Sequence, residues 1–129
     1  MILNLTDLSD EPLQAQISRQ IRAQILSGDL VANENLPSIR ALARDHKVSV
    51  ITVQRAYELL IKEGVIHARR GKGYFVSPLQ AEEKQALAEQ RLATQLERPV
   101  QAALDGGLSA VSIHKVVTFL IEKKNNDIV

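Results

Sequence analysis

The chain has 129 residues, 45% of them hydrophobic and 24% charged, with a formal net charge of +1 and no cysteine. That length holds one small core with a helical appendage; the lack of cysteine excludes disulfides, and near neutrality excludes a histone-like polybasic chain. No apolar run reaches the roughly 18 residues of a membrane span, and Asp7 and Asp10 stand where a signal peptide needs cations, so the chain reads as soluble and cytoplasmic, with no membrane partner.

The charge is unevenly placed. Residues 11–76 carry ten Lys/Arg against six Asp/Glu, a balance of +4, whereas residues 77–129 carry six cations and seven anions. The first part of the chain is therefore the part suited to a polyanion. Leu13, Ile17, Ile21 and Ile25 are spaced four apart and predict a first helix over residues 11–27, with Asp10 or Ser9 as N-cap, Pro12 in the first turn and Gly28 as the stop. After a polar loop, Leu36-Pro37-Ser38 enforces extended backbone, and Ser38 is suited to cap a short second helix from Ile39 to about His46 with Leu42 and Ala43 inward.

Lys47-Val48-Ser49 makes a three-residue turn into a third helix over residues 50–63. Val53, Tyr57, Leu60 and Ile61 share one face of it; Ile51, Gln54, Arg55 and Glu58 share the other. Gly64 ends it. Residues 65–68 and 74–76 read as two short strands joined by the turn Arg69-Arg70-Gly71-Lys72-Gly73, whose glycines supply positive φ. From Gln80 the helical pattern returns, with Leu92, Leu96, Val100 and Leu104 four apart and Pro99 expected to kink or split the helix. Asp105-Gly106-Gly107 breaks the chain, and Ser109 opens a last helix striped by Ile113, Val116, Val117, Leu120 and Ile121. The expected class is mainly α with a small β-hairpin (α+β), divided near Ser77-Pro78-Leu79 into residues 1–77 and a two-helix tail, 78–129. The polar stretch from Lys123 to Asp127, following a complete amphipathic helix, argues against a piece cut from a larger regulator.

A short helix, a tight turn and a second helix followed by a hairpin form a winged helix-turn-helix, which sets the N-terminal part of its second helix into the major groove of double-stranded DNA. The third helix carries the side chains this requires: Ser49, Thr52, Gln54 and Arg55. A phosphate cradle for a nucleotide would need G-x-x-x-x-G-K-[ST] between strand and helix. Gly71-Lys72-Gly73 lies between two strands and lacks the Ser/Thr, so Arg69, Arg70 and Lys72 read as wing cations for phosphates or a minor groove. His46, His67 and His114 share no metal-ligand spacing, and no carboxylate pair, Ser-His-Asp set or thiol points to catalysis. No cofactor is expected. The alternative is a winged-helix module that binds protein instead of DNA.

The segments EPLQAQISRQIRAQILSGDL, LPSIRALARDHKVSVITVQRAYELLIKEGVI and RRGKGYFV resemble the DNA-binding domain of the GntR family of bacterial transcription regulators, from about Pro12 to Val76. The short tail is similar to that of the YtrA subfamily, whose members dimerise through it and often govern ABC-transporter genes. The resemblance implies a DNA surface with Arg40 as groove or phosphate contact, Ser38 and Arg44 beside it, Thr52 near the start of the third helix, and Gly71 with its neighbours, including Gly73, at the wing tip. Two positions depart from the pattern: Val50 and Gln54 stand where many relatives have arginine. The guanine-reading guanidinium is thereby replaced by an apolar contact from Val50 or Ile51 to a thymine methyl and by Gln54 offering a bidentate pair to adenine; Val50 could equally turn inward above Val53 and Tyr57. The leucine and valine stripes of the tail, which two helices alone cannot bury, point to a homodimer and so to a repressor on an inverted-repeat operator. The tail offers few aromatic or convergent polar groups from which an effector pocket could be read.

Overall fold

The computed structural model describes residues 1–128, with side chains as far as Asn125, so the side chains of Asn126 and Asp127 in the polar end of the tail lie outside the described residues. Helix α1 (Leu13–Ser27) begins two residues later than the apolar spacing suggests. Pro12 occupies its N-cap with ψ 147°, and no side chain caps it. Proline suits that position because its fixed φ leads into the helix and its missing N–H is not needed there. Ser9, expected as a cap, instead accepts a hydrogen bond from the Glu11 N–H at 3.1 Å, and Gly28 ends the helix in the left-handed region, φ 88°.

An extended N-terminal arm lies along α1, held by three glutamines. The Gln16 and Gln20 amides each bond both the N–H and the C=O of one arm residue, Thr6 and Asn4, and Gln24 donates to the Ile2 carbonyl, all within 3.0 Å. Four helical residues rise about 6 Å and two extended residues about 6.6 Å, so glutamines four residues apart meet arm residues two apart.

Helix α2 (Ile39–His46) is capped by Ser38, which accepts from the Ala41 N–H at 3.1 Å, and α3 (Val50–Lys62) by Ser49, which accepts from Thr52 at 3.0 Å. Lys47 closes α2 in the left-handed conformation, φ 55°, without being glycine. The core is built from Ile17, Ile21 and Ile25 of α1, Leu42 and Ala43 of α2, and Val53, Ala56, Tyr57 and Leu60 of α3. Each such large apolar side chain contributes about 1.5–3 kcal/mol by leaving water. Ile61, expected on the inner face, is 39% exposed; Val65, past the Gly64 turn, is buried. The ends of α1 and α3 are joined by Arg22, 4% exposed, whose Nη2 donates to Glu63 Oε1 at 2.7 Å.

Strands β1 (Ile66–Arg69) and β2 (Gly73–Val76) pair antiparallel with Ile66 opposite Val76 and Arg69 opposite Gly73. The connecting loop is therefore only Arg70-Gly71-Lys72, because Arg69 and Gly73 are themselves paired. The segment expected to be polar loop adds to the free edge of β2. Asn33 N–H donates to the Val76 carbonyl at 2.7 Å, Val76 N–H to Glu34 at 2.9 Å and Leu36 N–H to Tyr74 at 2.8 Å, and Asn35 bridges Phe75. The wing is thus three-stranded in its hydrogen bonding.

The chain divides into two compact units, the first Met1–Lys84 and the second beginning at Gln85. Helix α4 (Ala81–Asp105) runs unbroken through Pro99, so of the kink or split expected there the split does not occur. Proline removes one helical hydrogen bond, and at an exposed position the freed carbonyl is left to water. Gly107, φ 93°, turns the chain, and Ser109 accepts from the Ser112 N–H at 3.1 Å to open α5 (Ala110–Ile128). Among the described residues no helix is long and apolar enough to cross a membrane.

Candidate nucleic-acid interface

The apolar inner face of α3 determines what its outer face presents. With Val53, Ala56, Tyr57 and Leu60 buried, Ile51, Gln54 and Arg55 are exposed and Thr52 is half-buried. Val50 is 47% and Ile51 59% exposed, so Val50 does not turn into the core above Val53 and Tyr57. The N-terminal turn therefore carries two apolar side chains in water. Gln54 donates to Glu58 Oε1 at 3.2 Å, and Arg55, which could have paired with Glu58 or Glu63, forms no ion pair among the described residues. Ser49 and Thr52 hydroxyls share a 2.7 Å hydrogen bond at the cap.

Helix α3 is set against α2 by Tyr57. This fully buried ring meets Tyr74 edge-on at 5.0 Å between centroids, and its hydroxyl donates to the Pro37 carbonyl at 2.7 Å. Burial raises its pKa well above the ordinary phenol value, with a smaller contribution from Tyr74, so the hydroxyl remains a protonated donor. One bond thus ties α3 to the Leu36-Pro37-Ser38 segment that starts α2 and continues the third wing strand. Arg40 and Arg44 are exposed on α2; Arg40 forms no ion pair among the described residues, whereas Arg44 Nε lies 3.2 Å from Asp45. Ser38 uses its oxygen as the α2 cap and retains its O–H as a donor.

The wing cations differ from one another. Arg70 and Lys72 lie in the exposed loop with Gly71, φ 74°, between them. Arg69 is held: its guanidinium sits 4.6 Å from the Phe75 ring centroid and reaches Asn33 Oδ1 at 3.4 Å. His67, opposite Phe75 in the register, stacks on that ring at 6.1 Å between centroids and bonds Ser77 through Nδ1 at 3.0 Å. Asn33, Asn35 and Tyr57 were not legible as site residues. Asn33 and Asn35 sit in an irregular polar run without strand periodicity, and Tyr57 is marked by sequence only as core.

In the second unit, the stripes expected at an interface remain uncovered. Leu92, Leu96, Leu104, Val116, Val117, Leu120 and Ile121 are exposed and Val100 and Ile113 half-buried. Leu96, Pro99, Val100, Ile113, Val117 and Leu120 are among the lining of an apolar groove of about 220 Å³ between α4 and α5. Phe119, not foreseen, is 62% exposed. Among the described residues no three His, Cys, Asp or Glu side chains converge as metal ligands.

A family model described as bacterial regulatory proteins, gntR family, matches residues 13–76. The HTH-type transcriptional repressor YtrA of Bacillus subtilis (strain 168) is 28% identical over 121 residues, covering 94% of this chain and 91% of that protein. Of three other curated regulators, from Rhizobium meliloti and Bacillus subtilis, the chain spans 14%, 57% and 31% of the length. In three dimensions it is similar to a protein from Listeria monocytogenes EGD-e described as a transcriptional antiterminator, with a TM-score of 0.71 and 29% identity over 93% of this chain and 90% of that one. It is also similar to the DNA-binding domain of AraR solved in complex with operator ORX1, with a TM-score of 0.51 and 27% identity over 58% of this chain and 93% of that one.

Proposed function

Because the chain belongs to the GntR family, with a winged helix-turn-helix DNA-binding domain at residues 13–76, we propose that it is a homodimeric transcriptional repressor of an inverted-repeat operator. Each α3 lies in a major groove. Val50 and Ile51 touch thymine methyls, Gln54 pairs with adenine, and Arg40, Arg55, Arg70 and Lys72 neutralise phosphates. The tails join the two subunits through the α4 and α5 stripes, and bound dimer represses by occluding the promoter. Transporter genes, the targets implied by the YtrA-like resemblance, are the regulated class, and the protein acts in the cytoplasm.

The observation that carries this reading is the outer face of α3, where apolar Val50 and Ile51 stand exposed beside Gln54 and an unpaired Arg55. A helix without a partner has no reason to hold β-branched side chains in water at its dipole-positive end, while a major groove offers methyls and base edges to just such a mixture. The test is duplex binding across a salt series. If Arg40, Arg55, Arg70 and Lys72 of both subunits each neutralise one phosphate, log affinity falls against log salt with a slope of about −7. Affinity that stays flat over that series contradicts the phosphate contacts and with them the reading.

A further inference from the structure

The wing contains a residue whose position only the folded structure reveals. In the antiparallel register Arg69 faces Gly73 and His67 faces Phe75, and the Asn35–Phe75 bridge places Asn35 on that same face, beyond β2. Asn35 is exposed, and its amide makes no hydrogen bond among the described residues. A Cβ on Gly73 would lie 3.7 Å from Asn35 Oδ1, so the amide rests over a strand position that has no side chain, next to Lys72 and the loop. Arg69, on the same face, is already committed to Phe75 and Asn33.

We infer that Asn35 is a DNA-backbone contact of the wing, its amide N–H donating to a phosphate oxygen beside those neutralised by Arg70 and Lys72, while Arg69 braces the sheet and does not reach the groove. The inference rests on the DNA-binding reading above. An amide held by backbone pairing on a strand reaches a phosphate at little entropic cost, and neutral amides are ordinary donors to phosphate. Because that contact carries no base information, it acts alike on all sequences.

The experiment uses the full chain in mobility shifts on two duplexes, one selected from a random pool and one scrambled, over a range of KCl. Asn35→Ala is expected to weaken both duplexes alike, by about threefold to tenfold, without altering base preference. Asn35→Lys places a cation at the same phosphate and is expected to steepen the salt slope by about 0.9 for each subunit. Since Asn35 is held in the wing by the backbone bonds of its neighbours Glu34 and Leu36, either variant keeps the fold, which matching melting curves verify. An unchanged slope for Asn35→Lys, or Asn35→Ala binding both duplexes as the wild type does, overturns the assignment. If the wild type itself binds neither duplex, the proposed function fails instead.

Discussion

At the scale of single residues, the proposed function divides the work of reading from that of holding between Gln54 and Arg70. Gln54 is tied to Glu58 by an exposed 3.2 Å bond one helical turn away. Such pairs contribute only about 0.2–0.5 kcal/mol, so a base edge readily takes the amide over. Gln54→Ala is therefore expected to relax preference at one base pair in each half-site, at about 1–3 kcal/mol, whereas Arg70→Ala lowers affinity evenly on all duplexes. Binding measured against single-base operator variants separates the two; parallel losses from both substitutions on every variant would contradict the division. Tyr57 acts at the same scale without touching DNA. Tyr57→Phe leaves the Pro37 carbonyl without its 2.7 Å partner, and a loss of about 1–2 kcal/mol in unfolding free energy is expected from urea denaturation.

At the scale of elements, the joints between helices carry the next predictions. Gly64 adopts φ 79° with open space where a Cβ would stand. Gly64→Ala is thus expected to cost only the backbone strain of the left-handed region, about 1 kcal/mol by urea denaturation. Glu63→Ala leaves the buried Arg22 guanidinium without its carboxylate, at about 3 kcal/mol, and the double variant with Arg22→Met is expected to recover part of that. These joints also mark what sequence could and could not reveal. The spacing of Ile17, Ile21 and Ile25, the cap Ser38 and the stop at Gly28 are local signals and stand where expected, apart from the start of α1, which comes two residues later. Pairing of Asn33–Leu36 with β2, the Arg22–Glu63 bridge and the glutamine clamp on the arm join residues distant along the chain, where no periodicity operates. Pro99 shows the converse, a strong local breaker that does not split the helix continuing on both sides of it.

At the scale of the molecule, one winged module alone would read a short half-site weakly, which is why the proposed function joins two. The exposed stripes of α4 and α5 are the surface proposed for that. Val117→Asp together with Leu120→Asp places charge in the apolar groove, and the protein is expected to sediment as a monomer and to lose about a hundredfold or more in operator affinity while retaining weak binding to any duplex. An unchanged dimer would assign the interface elsewhere. The most direct test of the whole account is selection of bound duplexes from a random pool by the full chain. The account predicts an enriched inverted repeat whose half-site centres lie one helical turn apart, about 10 base pairs, or a multiple of it, with A·T pairs where Val50, Ile51 and Gln54 read. A pool that emerges without any enriched sequence, or with an unrepeated half-site, would contradict it.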